Sequence, residues 1–117
     1  MALADVKNIG IGELKKHQNL GTLIIDVREL EEIAETGVLP GGINIPLGDL
    51  SKALCRTPED FKAAYGRNKP GKDSDIVFSC RSGKRSTQAC NKALELGFTR
   101  VLNFQGGWLE WEKQTKK

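Results

Sequence analysis

The 117-residue sequence is poor in the residues that build metal centres and disulfide frameworks. It has one histidine, His17, and three cysteines, at 55, 80 and 90. No Cys-x-x-Cys pair occurs, so neighbours in the chain cannot assemble the usual ligand set of a structural zinc site. An odd number of cysteines cannot all pair, and three free thiols fit a reducing compartment, most simply the cytosol. No apolar run approaches the roughly 20 residues that span a bilayer. Met1-Ala-Leu-Ala-Asp5 has no basic segment followed by an apolar one, so no secretory signal is expected. The net charge is only +3, which argues against a polybasic surface for nucleic acid or membrane. Internal repeats, low-complexity tracts and linkers are missing as well. A composition of 38% hydrophobic and 28% charged residues is that of one globular domain, long enough to bury a core.

The stretch from Asp75 to Leu96 carries the chemistry. Ile76-Val77-Phe78 reads as a buried strand. Ala89, Cys90, Ala93 and Leu94 recur at helical spacing, and Gly97 stops that helix. Between them stand Cys80, Arg81, Ser82, Gly83, Lys84 and Arg85, a cysteine in a tight, cationic strand-to-helix turn. A free thiol is only about 3% thiolate at pH 7, and the thiolate is the nucleophile. Lowering its pKa by roughly two units takes about 2.7 kcal/mol of preferential stabilisation. A helix N-terminus supplies ~0.3–1 kcal/mol and each hydrogen bond to the anion roughly 1.5–3 kcal/mol. Together with the field of Arg81, Lys84 and Arg85, that is enough. The bland reading, a small apolar residue at a strand end, leaves the cations without a packing purpose. Cys55 falls in a polar connection and Cys90 on the packed face of the helix, so Cys80 is the expected nucleophile.

The remaining chain alternates strand and helix signals, which argues a doubly wound α/β sheet. Val6 and Ile9 suggest an edge strand. Gly12 to Gln18 suggests a short helix ending before Asn19, with His17 as a solvated surface residue. Thr22 to Arg28 reads as a central strand, continuous in apolar residues as buried parallel strands are. Gly37 to Pro46 holds a turn and a short strand, and Leu47 to Leu54 a short helix. Thr57-Pro58-Glu59-Asp60 is a strong helix start, with Phe61, Ala64 and Tyr65 inward and Gly66 at the end. Arg67 to Asp73 is a polar loop, Phe98 to Asn103 the last strand, and Lys113 to Lys117 a solvated tail.

The strand–Cys80–loop–helix unit resembles the active-site segment of the rhodanese (thiosulfate sulfurtransferase) family, in which a six-residue loop starting at the cysteine cradles a persulfide. The likeness extends over nearly the whole chain. Asp26-Val27-Arg28 is similar to the family's Asp-x-Arg element, and Gly106-Gly107-Trp108-Leu-Glu-Trp111 to its closing Gly-Gly-x-x-x-Trp. Val38 and Gly42 depart from the usual Gly-His-Ile-Pro-Gly-Ala, which bears on subfamily rather than on chemistry. The resemblance implies a single rhodanese-like domain, residues 1–117, with a mainly parallel central sheet and helices on both faces. It implies a thiosulfate sulfurtransferase of the cytoplasm with no cofactor, no metal, and no nucleic-acid or membrane partner. Cys80 would carry sulfur from thiosulfate, or a related persulfide donor, to a thiophilic acceptor: cyanide, glutathione, thioredoxin or another protein thiol. Arg81, Ser82, Gly83, Lys84 and Arg85 would bind the donor and the persulfide. Asp26 and Arg28 would support the loop, either by hydrogen bonds near it or simply as a strand-end ion pair or helix cap. The Trp side chains would wall the Cys80 pocket or pack the last helix on the core. A partner-binding or sulfur-carrier module is an alternative, although non-catalytic modules tend to lack the cysteine. A cysteine-dependent phosphatase is another. Its Cys-x5-Arg loop would need arginine six places after Cys80, where Ser86 stands, with Arg85 one residue early.

Overall fold

The computed structural model describes residues 6–115; the expectations for the first five residues and for the last two of the tail lie outside that range. The elements in chain order are β1 (Lys7–Ile9), α1 (Ile11–Leu20), β2 (Leu23–Asp26), α2 (Leu30–Thr36) and β3 (Gly42–Asn44). A 3-10 turn (Leu47–Asp49) follows, then α3 (Leu50–Leu54), α4 (Pro58–Tyr65), β4 (Asp75–Ser79), α5 (Lys84–Glu95), β5 (Arg100–Phe104) and α6 (Gly107–Thr115). The strands form one sheet in the order β1-β5-β4-β2-β3, and every pairing in it is parallel.

The strand sequences show why both faces are covered. Side chains alternate across a sheet, and the central strands are apolar at both parities. Leu23, Ile25, Ile76, Phe78 and Val101 point to a core shared with α3, α4 and α5, where Leu50, Leu54, Phe61, Ala89 and Leu94 pack. Ile24, Val77, Leu102 and Phe104 point to a second core with Leu14 of α1 and with Trp108 and Trp111 of α6. Burying a side chain of this size contributes about 1.5–3 kcal/mol, so a strand flanked on both sides needs the unbroken apolar runs seen here.

Strand order reverses between β2 and β4: the chain leaves β2 toward β3 on one side and β4 toward β5 on the other. The crevice beyond the carboxyl ends of strands at such a switch point is where open α/β sheets bind ligands. Asp26 ends β2 and Cys80 follows β4, so both stand at that crevice.

Local departures from the sequence reading have simple causes. Helix α1 continues through Asn19 to Leu20 and stops at Gly21, which holds the left-handed conformation (φ +76°) that closes a helix. His17 is half-buried and its Nδ1 lies 2.9 Å from Thr22 Oγ1, so it is tied to the start of β2 rather than solvated. Ala64 is exposed; Phe61 and Tyr65, one turn apart with ring centroids at 4.9 Å, form the inner face of α4 without it. Among the described residues, no helix is long and apolar enough to cross a membrane.

The start of α4 follows its sequence closely: Thr57 Oγ1 accepts the Asp60 N–H at 3.1 Å and Pro58 occupies the first turn. Thr57→Ala should therefore lower unfolding free energy by about 1 kcal/mol, measured as a shift of the urea midpoint at unchanged slope.

Candidate active site

Cys80 is the residue after β4, and its side chain is 1% exposed. The chain must reverse within three residues to start α5, and Gly83 does so at φ +95°. A side chain at Gly83 would be strained there, and its Cβ would collide with the Gln105 carbonyl oxygen. The turn aims the Gly83 N–H at Cys80 Sγ, at 3.0 Å. Ser86 Oγ lies 3.4 Å from the same sulfur.

The loop carbonyls point the other way. Trp108 N–H donates to the Cys80 carbonyl at 2.8 Å and Leu109 N–H to that of Arg81 at 3.2 Å. These are first-turn amides of α6, which have no partner within their own helix. Gly107 makes the approach possible: it sits at φ +60°, and a Cβ there would lie 2.5 and 2.6 Å from the Arg81 and Cys80 carbonyl oxygens. With its acceptors satisfied by α6, the loop presents donors to the sulfur.

Burial raises the Cys80 pKa, but the Ser86 hydroxyl and N–H and the Ser82 and Gly83 N–H groups outweigh it, and the thiol is held below its ordinary value. Cys90, fully buried in α5 among apolar side chains, is pushed up to about 12 by desolvation alone. Cys55 is exposed at the end of α3. The three cysteines thus separate as the sequence suggests.

The loop cations fall into two groups. Arg81 and Lys84 are exposed and have no ion-pair partner among the described residues. Arg85 instead turns to α2 and forms a two-pronged pair with Glu32, at 2.6 and 3.0 Å. Hydrogen bonding to Arg85 holds the Glu32 carboxyl down at about 2, against desolvation. Glu32 also accepts the Glu29 N–H, closing a capping box at the start of α2. Arg85 therefore fastens the reactive loop to α2, and its charge is largely neutralised. Ser82 is exposed at the crest of the loop.

Asp26 and Arg28 form a buried ion pair, 1% and 2% exposed, with the guanidinium bridging both carboxylate oxygens at 2.8–3.1 Å. Arg28 also donates to the Gly37 carbonyl at 3.0 Å and stacks over the Trp108 ring at 5.0 Å. Helix α2 is capped by Glu29, not by Asp26. Neither member of the pair hydrogen-bonds directly to the Cys80 loop. Their connection runs through Trp108, whose N–H holds the Cys80 carbonyl. Trp108 does both things considered for it: it packs on the core, and it lines a cleft of about 180 Å³ with Arg28, Arg81, Leu109 and Glu112. A larger cleft of about 520 Å³ opens at the opposite ends of the strands, beside Gly21 and Asp75, and no cysteine lines it.

Sequence reasoning did not single out Glu32, Thr87, Asn8 or Asn103 and saw Ser86 only as a missing arginine. One signal was present. Ser86, Ala89, Cys90 and Ala93 share one helical face at i, i+3, i+4 and i+7. A hydroxyl on a buried face needs a partner, and Asn103 on the neighbouring strand supplies it. Among the described residues no cluster of possible metal ligands occurs.

Comparison with known proteins gives a consistent picture. The sequence model of the rhodanese-like domain matches residues 11–114. A mouse thiosulfate sulfurtransferase/rhodanese-like domain-containing protein 3 is 44% identical over 106 residues, 90% of this chain and 68% of that one. The human thiosulfate:glutathione sulfurtransferase is 38% identical over 116 residues, 97% of this chain and 100% of the other. The solved structure of human single-domain sulfurtransferase TSTD1 superposes with a TM-score of 0.86 at 35% identity, covering 96% of this chain and 100% of that one.

The geometry generates two predictions. Cys80 should be alkylated by iodoacetamide with a midpoint below the free-thiol value of about 8.5, while Cys90 reacts only on unfolding. Gly83→Ala should move the Cys80 midpoint upward by misdirecting the 83 N–H. The second prediction concerns the Glu32–Arg85 pair. A depressed carboxyl pKa stabilises the fold above the unfolded value, and the benefit fades as pH falls toward the folded value of about 2. Glu32→Gln should lose about 1 kcal/mol or less at pH 7, with the difference from the parent shrinking below about pH 4.5 in urea titrations.

Proposed function

The chain belongs to the rhodanese-like domain family, and from that premise we propose that it is a thiosulfate sulfurtransferase working through a persulfide on Cys80. The observation that carries this reading is the Cys80 sulfur itself, buried, held 3.0 Å from the Gly83 N–H, and set in a loop whose carbonyls are turned away to α6. An anion on that sulfur, or on one further sulfur attached to it, meets backbone N–H groups rather than carbonyls.

In the loading step the Cys80 thiolate attacks the outer sulfur of thiosulfate. A bond forms from Sγ to that sulfur, the sulfur–sulfur bond of thiosulfate breaks, and sulfite leaves with its electron pair. In the unloading step an acceptor thiolate attacks the terminal sulfur of the persulfide and regenerates the Cys80 thiolate. Two displacements through one covalent intermediate imply ping-pong kinetics. Arg81 and Lys84, the exposed cations, draw in the dianionic donor and stabilise departing sulfite. Arg85 contributes by holding the loop against α2. Cyanide, glutathione and protein thiols all suit the second step, and a sulfur-carrier role would use the same persulfide with a protein thiol as acceptor.

Ser86 argues against phosphoryl transfer. It occupies the position where a phosphatase loop carries its returning arginine, and its hydroxyl lies against the sulfur at 3.4 Å. Oxygens of a bound phosphoryl group would have no guanidinium returning from the sixth position to meet, whereas one added sulfur needs none.

Incubating reduced protein with thiosulfate should add one sulfur atom by intact mass, and peptide mapping should place it on Cys80. Cys80→Ser should abolish loading, and Cys90→Ser should retain it. Arg81→Glu and Lys84→Glu should each slow loading on the order of tenfold at low salt, with the difference narrowing as ionic strength rises. Cys80-dependent release of phosphate from p-nitrophenyl phosphate without sulfur loading would sink this reading and restore the phosphatase.

A further inference from the structure

Behind Cys80 lies a chain of polar side chains that the transfer steps above do not use. Ser86 and Asn103 are 0% and 1% exposed. Cys80 Sγ lies 3.4 Å from Ser86 Oγ, and Ser86 Oγ lies 2.5 Å from Asn103 Oδ1. Asn103 Nδ2 in turn lies 3.0 Å from Asn8 Oδ1 and 3.0 Å from Thr87 Oγ1.

The direction of each hydrogen follows from one end of this chain. Thr87 Oγ1 lies 2.8 Å from the Gly83 carbonyl, which can only accept, so the Thr87 hydroxyl hydrogen goes there. Toward Asn103, Thr87 then has only lone pairs, and Asn103 must turn its NH₂ group to them. Asn103 Oδ1 consequently faces Ser86, and that oxygen also can only accept. The one hydroxyl hydrogen of Ser86 is taken by Asn103, and its lone pairs face Cys80. A protonated thiol suits this arrangement, donating S–H to Ser86 Oγ. A thiolate gains from Ser86 only when the hydroxyl hydrogen turns to the sulfur. Ser86 can turn its hydrogen to the sulfur only by leaving Asn103 Oδ1 buried without a donor, which is costly.

We propose that Asn103 is a positioning residue for the sulfur chemistry: it competes with Cys80 Sγ for the single Ser86 hydrogen and so sets how readily Sγ, rather than an added outer sulfur, carries negative charge. The geometry stands on its own; its consequence for catalysis rests on the sulfurtransferase reading. In the persulfide the charge resides mainly on the outer sulfur, facing the loop amides, and Ser86 keeps its bond to Asn103. In the empty thiolate the charge is on Sγ and that bond is contested. The relay therefore favours the loaded enzyme over the empty thiolate. Charged groups stand on the elements next to this loop: Arg81 and Lys84 in its own segment, Arg85 paired with Glu32 of α2, Asp26 with Arg28 after β2, and Glu110 and Glu112 on α6. Cys90 is a further titratable group on α5. None of them hydrogen-bonds to Ser86 or Asn103, so the relay is a separate influence.

The test is the pH dependence of Cys80 alkylation by iodoacetamide, read on the Cys80 peptide. Asn103→Leu should lower the midpoint by about one pH unit, a tenfold gain in thiolate at a given pH, equivalent to about 1.4 kcal/mol. Loss of a merely structural residue would not produce a more acidic thiol. The double variant Ser86→Ala, Asn103→Leu should have the same midpoint as Ser86→Ala alone, because without the hydroxyl Asn103 has no hydrogen to withhold. Thr87→Val leaves β5 intact and frees the Asn103 amide to flip; it should shift the midpoint in the same direction as Asn103→Leu, and it serves should that variant not fold. At a fixed ratio of thiosulfate to sulfite, both variants should show a smaller persulfide fraction than the parent. A midpoint that stays or rises in the folded variants, or a fall that persists without Ser86, overturns the relay. If the parent protein takes up no sulfur while the alkylation shifts appear as stated, the sulfurtransferase reading fails and the catalytic consequence fails with it, but the hydrogen competition stands.

Discussion

Two backbone hydrogen bonds organise the reactive end of this molecule: those from the first turn of α6 to the carbonyls of Cys80 and Arg81. A tight turn has as many acceptors as donors, and left to itself it would show both to a bound anion. Here the acceptors are taken up by amides that a helix start leaves free, so the face toward the sulfur is rich in donors. The arrangement needs glycine at 107, because any Cβ there would occupy the space between the two segments. It also needs α6 held in place, and the Trp108 ring stacked on buried Arg28 does part of that. The Asp26–Arg28 pair thus affects the loop through a helix rather than by contact. Breaking one partner of a buried pair costs roughly 3–5 kcal/mol because the other charge is left uncompensated, so its influence on the site cannot be separated from its influence on the fold.

Charge around the sulfur is divided by function. If all three loop cations pointed at the thiolate, they would stabilise it without distinguishing the donor from any other anion. Pairing Arg85 with Glu32 removes one of them from the solvent-facing field and uses it to fasten the loop to α2. Exposed Arg81 and Lys84 remain in that field, which acts at a distance and is screened by salt. Depression of the Cys80 pKa comes chiefly from short-range hydrogen bonds, which screening does not reach. The Cys80 pKa and the solvent-facing field therefore rest on separate interactions.

Much of the architecture was legible from local sequence. The apolar runs at Leu23–Ile25 and Ile76–Phe78 required a sheet covered on both faces, Thr57-Pro58 required a helix start, and Cys80 among cations at a strand-to-helix turn pointed to a thiol of lowered pKa. Each inference used residues within a few positions of one another, where steric and hydrogen-bonding preferences act directly. Ala64 was misassigned because the residues three and four places after Phe61 lie on adjacent sides of the helix, and only packing against the core selects one.

The sequence by itself determined the fold class and the place of Cys80 in a cationic strand-to-helix turn, because these depend on short segments whose geometry is set by backbone sterics. Tertiary structure alone decided the partners of the loop. Glu32 lies 53 residues from Arg85, Asn103 lies 17 from Ser86, and Asn8 lies 95 from Asn103. No local rule pairs a given arginine with a given distant glutamate, since several carboxylates in the chain would serve equally well. The choice is made when parallel strands come into register and bring the ends of β1, β5 and α5 together behind Cys80. Whether a hydroxyl near the sulfur gives or withholds its hydrogen is settled there, by which acceptor happens to stand on its other side.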